Sequence, residues 1–220
     1  PSYMPTSDAG LMWCLSRYTD GEMFTLTVKL ILGSAGDTLP EDFAQDRGRL
    51  YLGEDWADGL KRANEQLPHL VSQLRAPLSW INAQLSDGRA FLLGSAPAAI
   101  DAQIYYAVWF IRGRWSGGPS MLSEFPDLMR WEENVRALGH GTSKPMSAEA
   151  AIALAKSSIP TSAIGVAKNE PQGLETGMLV SVSPDLDGGE QPVSGNVRYA
   201  DANTISIERS SDEVGQICVH

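Results

Sequence analysis

The sequence predicts an α+β fold by segregation: a helical bundle over residues 1–159, a linker over 160–173, and a small antiparallel all-β module, barrel or sandwich, over 174–220. Three observations carry this expectation. Apolar residues recur at intervals of three and four up to about residue 158, the period of a buried helical face. Residues 160–177 are then rich in Pro, Gly, Thr and Ser. Beyond them, short runs rich in Val and Ile alternate with turn formers.

The elements follow in order. Residues 7–33 open on a Ser7-Asp8 cap signal, carry Leu11, Leu15 and Tyr18 at helical spacing, and meet a second cap signal at Thr19-Asp20. Two consecutive helices, or one helix kinked at Gly21, fit this pattern. LPEDFAQDRGRLYLG (39–53) reads as a short amphipathic helix with Pro40 in its first turn. From Asp55 to Asp87 the residues Leu60, Ala63, Leu67, Leu70, Leu74, Leu78, Ile81 and Leu85 mark one buried face. Pro68 and Pro77 interrupt that stretch and predict a break or bend, because each removes a backbone donor and crowds the preceding turn. DGR (87–89) is a turn, and FLLG leads into GSAPAAIDAQIYYAVWF (94–110). There Asp101 stands three residues after Ala98, at the third helical position, where a carboxylate reaches back to the first free amide of a capping box. FPDLMRWEENVRALG (125–139) is a helix with Pro126 at its start and Gly139 as C-cap, and MSAEAAIALAKSS (146–158) is another. MLVSVS, GNVRY, NTISIER and GQICV are the strands, separated by PDLDGG, ADAN and SSDE.

With 220 residues, 43% of them apolar, the chain has material for a sizeable core. A formal charge of −10 opposes both a phosphate backbone and an anionic lipid surface, so neither nucleic acid nor a membrane is the expected partner. From Glu170 onward nine acidic residues face only Arg198 and Arg209, which places most of that charge on the β module. Two distant cysteines, Cys14 and Cys218, allow no disulfide framework or CxxC motif, and no apolar run reaches the roughly 20 residues of a membrane span. A reducing, cytoplasmic setting is expected. The chain opens on Pro1 rather than Met, and the expectation is that an N-terminal portion precedes it.

Other chemistry finds little support. His69, His140 and His220 have no ligand spacing with one another or with cysteine, so no metal site is expected. No GxSxG nucleophile elbow occurs, GRWSGGPS (113–120) reads as a loop without the context of a phosphate cradle, and PDLDGGE (184–190) reads as a solvated turn rather than a calcium loop. Cys14 is expected to be buried as a small apolar residue.

The block from Gly94 to Asp101, the long LVSQLRAPLSWINAQLSDGRAFLLG lead-in and the FPDLMRWEENVRALG helix after it resemble, in order and spacing, the all-helical C-terminal domain of cytosolic glutathione S-transferases. The resemblance covers roughly residues 5–158. The family's Ser or Thr at the N-cap is Ala98 here, so only half of the capping box is available. The resemblance implies glutathione as co-substrate, bound mainly on an N-terminal thioredoxin-like domain that this chain does not contain. It therefore names no catalytic residue here. It also implies that the helical domain supplies most of the pocket for a hydrophobic electrophile and part of a homodimer interface. Met12, Trp13, Arg17, Tyr18, Tyr106 and Trp109 are the candidates for that pocket wall, the apolar and aromatic groups for a flat ligand and Arg17 for a carboxylate. The implied activity is glutathione conjugation to, or glutathione-dependent cleavage of, such an electrophile. The alternative is a non-catalytic interaction module on the same helical fold.

Overall fold

The computed structural model describes residues 3–4, 7–184 and 191–220, and their contacts divide into two units, one up to Gly141 and one from Thr142 onward. The first unit is helical. α1 (Ala9–Tyr18) follows Asp8 at its N-cap position and passes through a π-helical turn (Thr19–Met23) into α2 (Phe24–Ala35), so the second cap signal, Thr19-Asp20, lies within one continuous helical run. The irregularity brackets Gly21, and the buried Thr27 hydroxyl donates to the Met23 carbonyl at 2.8 Å just beyond it. α3 (Glu41–Leu52), α4 (Trp56–Glu65) and α5 (Leu67–Gln84) follow.

The two prolines of the long apolar stretch act differently. Pro68 sits in the first turn of α5, after a break of the single residue Gln66, where its missing N–H costs nothing. Pro77 lies inside α5 and is buried there. α6 (Ala99–Arg114) forms the centre of the unit, with Ile100, Ile104, Ala107, Val108 and Ile111 all buried and α1, α2 and α8 (Pro126–Ala137) packed around it. Trp131 of α8 is fully buried with its ring tilted against Tyr105, centroids 6.5 Å apart. Gly139 follows α8 at φ 68°, the left-handed conformation its C-cap role needs.

GRWSGGPS is only partly a loop. Its first two residues, Gly113 and Arg114, end α6, and Gly118 starts a short helix, α7 (Gly118–Leu122), whose Met121 and Leu122 are buried. A Cβ on Gly118 would stand 2.0 Å from the Ile111 carbonyl oxygen, so the turn passes against the backbone of α6 with no room for a side chain.

The second unit is one five-stranded sheet. β3 (Val193–Ala200), β4 (Ile205–Ser211) and β5 (Gly215–Val219) form an antiparallel meander, while β1 (Gly165–Val166, parallel) and β2 (Leu179–Val182, antiparallel) pair with successive stretches of β3. Val197, Ala200 and Ile207 are its buried apolar residues. The register of β3 against β4 shifts between Val197 and Tyr199, and this bulge redirects Arg198. Its guanidinium meets Glu208 Oε1 at 2.8 Å and donates to the carbonyls of Ser162 (2.8 Å) and Pro160 (3.2 Å). The segment 160–173, expected as a linker, is thus held by an arginine clamp and carries β1. The boundary expected near residue 159 also falls earlier, at 141/142. α9 (Ala148–Ser157), capped by the Ser147 hydroxyl, packs on β5, and Lys156 Nζ donates to the Asp212 carbonyl at 2.9 Å. Helical periodicity assigned α9 to the bundle because it reports amphipathicity and not which surface the apolar side meets. Most of the predicted turn 184–190 lies outside the described residues.

Candidate functional site

The start of α6 fixes the frame of the helical unit. Asp101 is 1% exposed and accepts three hydrogen bonds: Oδ2 from the Ala98 amide at 2.8 Å, and Oδ1 from the Leu92 amide at 2.9 Å and Trp131 Nε1 at 2.7 Å. The first is the expected half of the capping box. A methyl group cannot return the bond, so the Asp101 amide turns to the Ala98 carbonyl at 3.0 Å instead. The other two bonds were not legible, because they join sequence neighbours of nothing in common: the FLLG turn and α8, thirty residues on. One carboxylate therefore ties three segments together.

Beside this frame lies an open cavity of about 390 Å³ between α1, the π turn, α5 and α6, lined by Leu15, Tyr18, Thr19, Trp80, Ile81 and Ile104 among others. Its lining is almost wholly apolar, which suits a flat neutral ligand more than a charged one. Tyr18 reaches it from the end of α1 and Thr19 from the irregular turn, and the Tyr18 ring stands tilted against Trp80 of α5, centroids 6.3 Å apart. Burial, and secondarily Glu22, pushes the Tyr18 phenol up, so it stays protonated at neutral pH.

Of the six residues proposed from the sequence, the structure brings only Tyr18 to this cavity. On α1 the residues facing it are Leu11, Leu15 and Tyr18, one helical stripe. Met12, about 100° away, is 2% exposed and packs in the core. Trp13 and Arg17 stand about 200° round from Leu11 and Leu15 and are exposed. Cys14, expected inside, is exposed for the same reason, two positions on from Met12. Tyr106 belongs to a separate aromatic group: its ring meets Phe24 edge-on at 5.6 Å and its hydroxyl donates to Asp20 Oδ1 at 3.2 Å. Burial first and the Asp20 carboxylate second push its phenol well above the ordinary range, so Tyr106 is a hydrogen-bond donor and not an ionised base. Trp109 is 45% exposed, against Phe110 and the Arg114 guanidinium. The residues that sequence reasoning missed, Leu15 and Ile81 among them, carried a signal as members of apolar stripes, but a stripe alone does not say which of its members border a void.

Among the described residues no three His, Cys, Asp or Glu side chains cluster to hold a metal ion, and no helix is long and apolar enough to cross a membrane.

Comparison with known proteins matches this geometry to a family over part of the chain. Residues 54–134, from just before α4 to within α8, match the model of the Glutathione S-transferase, C-terminal domain family. That stretch is similar to transferase C-terminal domains over 81 of the 220 residues. A crystal structure of a GST-like protein from Pseudomonas syringae superposes with a TM-score of 0.68 at 21% identity, covering 100% of this chain and 67% of that one. No curated protein matches. The transferase-type helical fold with an appended sheet is thereby established, and Asp101 lies inside the matched stretch as the anchor of its central helix.

Proposed function

We propose that this chain is the electrophile-binding portion of a glutathione S-transferase-like protein that joins glutathione to, or uses it to cleave, a hydrophobic electrophile. The observation that carries the reading is the apolar cavity of about 390 Å³ within a helical domain of transferase type. In this reading the cavity walls desolvate the electrophile and hold it by apolar contact, while the Tyr18 hydroxyl orients a polar substituent. The thiol is activated on a thioredoxin-like domain outside this chain, and the working unit is a cytoplasmic homodimer. The first test is retention of the whole protein on immobilised glutathione together with thiol consumption against a panel of aryl and alkyl electrophiles; no retention and no consumption reject the reading.

A second measurement addresses the cavity itself. Ile81→Trp adds an indole to the lined space, so it is expected to weaken binding of an apolar fluorescent probe at least tenfold, about 1.4 kcal/mol, with the fold intact by circular dichroism. Trp109→Ala, outside the cavity, is expected to leave that affinity unchanged. An equal loss in both variants would remove the cavity from the proposal. The alternative of a non-catalytic interaction module draws on the second unit, where Ile159, Ile164 and Leu179 are each more than two-thirds exposed. Thiol consumption by the whole protein separates the two readings.

A further inference from the structure

α2 and α4 cross so closely that a Cβ on Gly33 would lie 2.7 Å from the Ala63 carbonyl carbon, and Asn64 Nδ2 donates to the Gly33 carbonyl at 2.8 Å. One turn before Gly33 stands Lys29, and next to Ala63 stands Arg62. Both line a depression of about 210 Å³ with Tyr51 of α3, Gln66 of the α4–α5 break, and the apolar Leu52 and Leu70.

The lining of this depression carries two basic residues and no carboxylate. Among the described residues, seven of the other eleven arginines pair with a carboxylate, Arg75 with Glu124, Arg89 with Asp87, Arg112 with Glu132 and Arg130 with Asp127 among them, while Arg17, Arg49, Arg114 and Arg209 do not. Lys29 and Arg62 have no carboxylate partner among the described residues, although the sequence carries 27 acidic residues against 17 basic. Asp58, one turn before Arg62, is engaged by Lys61 at 3.4 Å. The Tyr51 hydroxyl and the Gln66 side-chain amide also have no hydrogen-bond partner among the described residues, while the Tyr51 ring is fixed edge-on to Phe24 at 5.8 Å. Two cations and two neutral donors therefore share one concave site that supplies no acidic side chain.

We propose that this depression binds a small dianion with terminal oxygens, the chemistry shared by a phosphomonoester group and a short dicarboxylate. The Arg62 fork and the Lys29 ammonium supply its counter-charge, with Tyr51 and Gln66 donating to the remaining oxygens. A volume of about 210 Å³ is that of about seven waters at roughly 30 Å³ each. That is room for such a group and too little for a whole nucleotide. The site is independent of the electrophile reading, since it shares no lining residue with the apolar cavity.

The test is calorimetric titration of the full chain at constant ionic strength with inorganic phosphate and, separately, with succinate. Saturable binding at one site with a Kd of about 1 mM or tighter is expected for at least one, and which one binds identifies the source. Lys29→Met and Arg62→Met are each expected to weaken it about tenfold or more, Lys29→Arg to retain it, and Arg209→Met, the same charge loss in the sheet, to leave it unchanged. Circular dichroism of each variant checks the fold. No saturable binding of either anion, or the same weakening in Arg209→Met as in Lys29→Met, overturns the proposal.

Discussion

Asp101→Ala is expected to lower the stability of the helical unit by about 4 kcal/mol, seen as a fall of about 10–15 °C in the melting temperature. The carboxylate is 1% exposed and accepts from the Ala98 and Leu92 amides and from Trp131 Nε1. Alanine leaves all three donors without it in a place water does not reach, and each stranded donor costs about 1–3 kcal/mol. A residue acting only as a local helix cap would cost about 1 kcal/mol, so a loss of that size would show that the bonds to Leu92 and Trp131 contribute little. Asp101→Asn keeps one oxygen but turns an amide donor toward other donors, and it should recover less than half of the loss. Trp131→Phe removes only the indole donor, and its effect should not add fully to that of Asp101→Ala because the two share one bond.

Gly118→Ala is expected to destabilise the same unit by at least about 3 kcal/mol, larger than almost any other single methyl addition in the chain. The added carbon would meet the Ile111 carbonyl oxygen at 2.0 Å and the Ile111 carbonyl carbon at 2.7 Å. These are backbone atoms of the central helix, and they cannot swing aside as the end of a flexible side chain does. Relief requires moving α7, whose Met121 and Leu122 are buried in the core, or α6 itself. Denaturant midpoints at unchanged slope measure this directly. Gly10→Ala is the control: nothing lies within 4 Å of its added carbon, and in the middle of a helical turn alanine is expected to be neutral or slightly stabilising. Equal stabilities for the two variants would show that α7 does not press on α6.

Both residues show where sequence reading stops. Asp101 was legible as a helix starter because the box is local, three residues from cap to carboxylate, and local geometry follows from local order. Its bonds to Leu92 and Trp131 depend on which turn and which helix the fold brings alongside. Gly118 looked like one glycine among several in GRWSGGPS, since a close approach between backbones leaves no pattern in the segment that makes it.

The pocket wall follows the same rule. Side-chain chemistry on α1 and α6 singles out aromatic, sulfur-bearing and basic residues, yet helical phase sends Met12 into the core and Trp13 and Arg17 to the surface. Only Tyr18 shares the stripe of Leu11 and Leu15 that borders the cavity. The phase was present in the sequence, but the place of the void depends on how α1, α5 and α6 fit, which no single helix encodes.

By itself the sequence determined the run of helices before the strands, the break before Pro68, the half capping box at Asp101 and the concentration of acidic residues near the end, and it left two helices or one kinked helix open around Gly21. Each is a property of neighbours a few residues apart, set by periodicity, backbone stereochemistry or composition. Tertiary structure alone decided that α9 joins the sheet, that Arg198 clamps the segment before β1, that Asp101 binds three segments, and that Lys29 and Arg62 share one depression. Those outcomes depend on contacts between residues distant in the chain, where packing and charge matching are settled only once the elements have met.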